Sequence, residues 1–169
     1  MWKELVDSHP LISAMVIFSI IGIISEVLGQ YAKGSRKFPF TPIRFIGKIL
    51  IWAVLGLCIR YAFTGFHGFV DSLISSKFLT GEFTPFFIAI FTVVLFGPYV
   101  IIIHRFLNNL LARKWEWKGL KGKFIALTWF WIPALTITFM LPVEMQIAVS
   151  SLWLIVFYLI FGVYERIKG

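Results

Sequence analysis

The chain has 169 residues, of which 59% are hydrophobic and 18% aromatic but only 14% charged, and its mean hydropathy is +0.89. A soluble domain runs closer to half apolar and a quarter charged, and no polar segment here is long enough to build a core of its own, so a soluble globular domain is excluded. The net charge of +8 fits basic loops at a membrane surface better than a nucleic-acid partner, and the single Cys58 excludes an internal disulfide or a cysteine metal cluster.

The opening MWKELVDSHP mixes Lys3 with Glu4 and Asp7 ahead of a long apolar run, so it reads as neither a cleavable signal nor a transit peptide. Five apolar segments follow, at residues 11–30, 44–73, 85–111, 124–141 and 145–163. Each is near or above the roughly 20 helical residues that cross hydrocarbon. The runs are continuous rather than alternating, which favours helices over a β-barrel. The expected architecture is therefore all-α: one polytopic integral membrane domain over residues 1–169, a bundle of about five transmembrane helices, one of them kinked at Pro133.

The loops divide the charge unevenly. Lys33, Arg36, Lys37 and Arg44 follow the first segment. Arg105, Arg113, Lys114, Lys118, Lys121 and Lys123 flank the third loop, and Arg166 and Lys168 close the chain, whereas the alternate side has Lys3 and Lys77. With five spans these sets fall on opposite faces, and the positive-inside rule puts the C-terminus inside. A four-span count would place one basic loop on the wrong side or make a segment re-entrant, the fourth being the candidate. In RKWEWKGLKGKF, Trp115 and Trp117 alternate with cations such as Lys118, which suits a headgroup-level anchor or the binding of an acidic lipid or partner.

Ionisable residues within spans are costly and need a reason. Glu26 and Lys48 both fall toward the inner side, where they pair or separately reach the interface. Arg60 sits deep in LIWAVLGLCIRYAFTGF, with Asp71, Glu82 and Glu144 at matching depth, as the lining of an aqueous path or as half of a structural ion pair. His67 has Asp71 at i+4 on its own helical face. No HExxH, GxSxG, phosphate loop or CxxC occurs, so no enzyme, cofactor or metal site is expected.

The C-terminal third, TWFWIPALTITFMLPVEMQIAVSSLWLIVFYLI, resembles the signature of the Mpv-type family of small peroxisomal and mitochondrial inner-membrane proteins. Trp131 and Pro133, split by Ile132, look like that family's Trp-Pro pair. Thr138-Phe139 looks like its Asn-Phe step, Leu141-Pro142 like its Val-Pro, and Trp153 like the Trp of its last span. Upstream, His9-Pro10 and the stretch around Glu26 are similar to its opening. The resemblance implies channel-like passage of small hydrophilic solutes or metabolites, in a cell membrane if prokaryotic and in a mitochondrial inner or peroxisomal membrane if eukaryotic. Glu26, Arg60, His67 and Asp71 are the candidate lining or pairing residues, and the lipid bilayer, anionic lipid, small solutes and a homo-oligomer are the expected partners. The alternative is a non-transporting scaffold that binds lipid or a partner.

Overall fold

The computed structural model describes residues 4 and 8–168. Lys3 and Asp7, part of the charge pattern above, lie outside the described residues. Helices make up 85% of the structure, and no strand occurs among the described residues, so the class is all-α as expected. Five helices are long and apolar enough to cross a membrane: Pro10–Ala32, Pro42–Ser75, Gly81–Ala112, Leu120–Phe139 and Val143–Lys168. They are called the first to fifth spans. Their lengths of 23, 34, 32, 20 and 26 residues correspond to about 35, 51, 48, 30 and 39 Å, against about 30 Å of hydrocarbon. All five can cross, and they make this an integral membrane protein. The fourth span starts before the expected residue 124. Lys121 and Lys123 are sound helix formers, and an apolar-run reading passes over them.

The third and fourth spans are not α-helical throughout. Thr92–Phe96 and Leu127–Trp131 are π-helical turns. Each is followed by an α-helical stretch with proline in its first two positions: Pro98 in Gly97–Ala112 and Pro133 in Ile132–Phe139. The cause is local. A proline has no N–H for the carbonyl four residues back, and its ring collides with that carbonyl. A widened turn moves the carbonyl away at the cost of one extra residue per turn. The irregularity expected at Pro133 is thus a wide turn on its N-terminal side. The equivalent turn before Pro98 was not foreseen.

The backbone divides into two compact units. Unit 1 is Met1–Leu57 with Ile147–Gly169, and unit 2 is Cys58–Gln146. In unit 1 the first span buries a stripe of Ala14, Phe18, Gly22, Ser25 and Gly29, spaced by three and four residues as one helical face requires. Small residues let its neighbours approach closely. Gly22 lies under the ring of Trp52, and Gly29 and Gly162 meet backbone to backbone. Ser19 reaches across to the second span, its hydroxyl donating to the Ile49 carbonyl at 3.0 Å.

In unit 2 the core is aromatic and aliphatic. Phe63 meets Phe139 edge to face at 4.8 Å, and Phe69 meets Phe91 at 5.1 Å. Ile88, Ala89 and Val93 of the third span are buried with Ala134 and Leu135 of the fourth. Gly97 packs on the Leu127 side chain, so the two wide turns lie against each other.

Candidate functional site

Among the described residues, the most enclosed charged group is in unit 1. Glu26 stands on the buried stripe of the first span. Lys48 and Trp52 are one turn apart on the second span, so both side chains reach the same point. Lys48 Nζ donates to Glu26 Oε2 at 2.5 Å, and Trp52 Nε1 donates to Oε1 at 3.0 Å. The two charged side chains are only 15% and 10% exposed. Phe40 covers the ammonium, its ring centre 5.7 Å away. A carboxylate in this position has its charge matched and both oxygens occupied. It joins two spans, and a buried pair of this kind is costly to break one-sidedly. The pairing left open by the sequence is the one formed. Trp52 was missed, although its i+4 spacing from Lys48 was a usable signal.

The second polar contact is in unit 2. Half-buried His67 faces Gln146, with Nε2 and Oε1 3.0 Å apart. The Gln146 amide donates in turn to the Leu141 carbonyl at 3.0 Å. With Oε1 accepting, His67 carries its proton on Nε2. Its ring stands edge to face on Phe139 at 5.3 Å. Gln146 therefore ties the second span to the turn at Leu141-Pro142 and satisfies the Leu141 carbonyl, just past the end of the fourth span. Nothing in the sequence singled out Gln146 as the partner of His67.

Asp71 is exposed, and its carboxylate is paired with neither His67 nor Arg60. Arg60 is half-buried, and among the described residues its guanidinium has no ion partner. Depth explains how this is tolerated. Sixteen residues separate it from Arg44 on the same helix, about 24 Å, so with Arg44 at one surface of about 30 Å of hydrocarbon Arg60 would fall close to the other. From there a long side chain would reach the headgroups.

The motif residues of the C-terminal third are structural in their contacts. Trp131 packs on Phe130 at 5.2 Å. Thr138, fully buried, donates to the Ala134 carbonyl at 2.9 Å, and Thr136 donates to Ile132 at 2.8 Å. Phe139 links Phe63 and His67. Pro142 is exposed, and its carbonyl accepts from the Met145 N–H at 2.9 Å. Trp115, Trp117 and Lys118 lie exposed in the loop between the third and fourth spans. Among the described residues, no three His, Cys, Asp or Glu side chains gather to hold a metal ion. No family model, curated protein or solved structure matches the chain.

Proposed function

We propose that the protein is a non-catalytic membrane scaffold, distantly akin to the Mpv-type family. In this reading the polar groups within the spans join helices rather than line a path. The supporting observation is the closure of Glu26: Lys48 and Trp52 occupy its two oxygens within unit 1, so no oxygen is left without a donor for a passing solute. His67 is likewise engaged by Gln146 within unit 2.

The second reading is a channel-like passage for small hydrophilic solutes, in one chain or in a homo-oligomer. One observation favours it. Thr92, in the wide turn before Pro98, is only 3% exposed, yet among the described residues its hydroxyl has no hydrogen-bond partner. Buried hydroxyls in helices ordinarily bond the carbonyl a turn back, as Thr138 does, and an orphaned one is a place where water can enter.

The deciding experiment is efflux of graded uncharged and anionic solutes from liposomes that hold the folded, inserted protein. The scaffold reading expects tight liposomes. Size-limited efflux altered by Thr92→Val or Arg60→Ala would replace it with the passage.

A further inference from the structure

We propose that the loop between the third and fourth spans is a preformed site for the phosphate of anionic phospholipids. The inference goes beyond the scaffold reading, because it holds whether or not the spans conduct.

The loop is held in shape by the end of the third span. That helix closes on Arg113 in the left-handed conformation, φ 51°. Arg113 donates its N–H to the Leu110 carbonyl at 3.2 Å, and Lys114 to Asn109 at 3.1 Å. Buried Asn109 then donates its side-chain amide to the Glu116 carbonyl at 3.2 Å. One turn earlier, Arg105 Nη2 donates to the Lys118 carbonyl at 2.8 Å. Between them Phe106 carries the ring of Trp115 at 5.6 Å. Gly119, at φ 77°, turns the chain into the fourth span. Three side chains of a single helix thus fix residues 115, 116 and 118.

This frame presents cations with nothing to neutralise them. Arg113, Lys118 and Lys121 are exposed and have no acidic partner among the described residues. Lys114 is already taken by Glu116 at 3.2 Å. Two indoles stand beside these cations, Trp115 at 61% and Trp117 at 45% exposed.

The occupant follows from position. Spans end at Ala112 and begin at Leu120 on either side of the loop, and a loop that joins two spans lies at or beyond the membrane surface, where indole rings settle and anionic lipid attracts cations. A fixed loop also loses less freedom on binding than a mobile one, which makes it selective for charge where a flexible tail would be weak.

The test is native mass spectrometry of the full chain in micelles, offered phosphatidylglycerol and phosphatidylcholine in equal amounts. The wild type is expected to retain phosphatidylglycerol preferentially. Each cation near an anionic surface contributes about a fivefold preference, so Arg113→Gln with Lys118→Gln and Lys121→Gln should cost about a hundredfold. Arg36→Gln with Lys37→Gln, in the other basic loop, should leave the preference in place. Arg105→Lys keeps the charge and loses the bond to the Lys118 carbonyl, and should weaken the preference without changing net charge. If the triple variant fails to fold, the wild type decides. At about 1 M salt, where the screening length is about 3 Å, the preference should vanish, and persistence overturns the proposal. It is also overturned if the triple variant keeps the preference, or if the Arg36 and Lys37 variant loses as much. Displacement of the lipid by soluble glycerol phosphate at equal phosphate concentration would reassign the site to a free phosphate. A wild type that binds oligoglutamate but shows no lipid preference would reassign it to an acidic protein. Either result overturns the proposal.

Discussion

At Glu26 the question is what a charge does inside a membrane helix, and its two donors give the answer. Glu26→Gln leaves the Lys48 ammonium without a counter-charge in a position only 15% exposed. Breaking one side of a buried pair costs about 3 kcal/mol or more. We expect a clear fall in thermal stability in detergent, and a smaller one when Lys48→Met accompanies it. If the double variant is as unstable as Glu26→Gln, the cost arises from packing rather than charge. The glycines make a second contrast. A Cβ on Gly162 would run into the Gly29 carbonyl and come within 2.8 Å of the Ala32 Cβ, whereas one on Gly68 would meet nothing within 4 Å. Gly162→Ala is expected to cost about 1–3 kcal/mol, and Gly68→Ala to stay within about 0.5 kcal/mol. Equal melting temperatures for the two would contradict the close approach of the first and fifth spans. Glu26 and Lys48 stood out in the sequence because charges in apolar runs announce themselves, but the sequence left open whether they pair. Gly29 and Gly162 were not, since neither glycine carries a mark that names its partner.

At the level of elements, the informative features are the two wide turns. Pro133 pointed to its own irregularity in the sequence, and Gly97-Pro98 carried the same signal unread, because it lies within a run apolar enough to pass as one straight helix. The wide turns come from local chemistry and so belong to the legible part of the fold, as does the existence of the five spans. The helix of the fourth span begins at Leu120, ahead of its apolar run, because lysines that form helix well do not register as apolar segment. Pro133→Ala restores a donor for the Trp129 carbonyl. Backbone amide exchange around residues 129–133 should slow if proline sets the turn. Unchanged exchange would show that packing against the third span sets it instead. Gly97→Ala tests that packing. The atom it would meet, Leu127 Cδ2 at 2.8 Å, is the flexible end of a side chain, so the cost should fall below that of Gly162→Ala.

For the whole molecule, the basic loops alternate with poor ones along five spans, and this makes a checkable prediction of sidedness. In a Cys58→Ala background, an impermeant thiol reagent should reach Ser35→Cys and Glu116→Cys from one side and Ser76→Cys from the other. Labelling of Glu116→Cys from the same side as Ser76→Cys would overturn the five-span count. The division into units was not legible in the sequence, because it depends on contacts between distant residues rather than on any boundary in composition. The chain leaves unit 1 at Leu57 and returns to it at Ile147, and synthesis must follow that order. Glu26 can find Lys48 and Trp52 once the second span is inserted. Gly29 has to wait for Gly162, which is made only after the whole of unit 2. Until the fifth span has followed unit 2 into the membrane, unit 1 is missing a helix and its glycine stripe is uncovered. Insertion of the fifth span then closes the unit that was begun first.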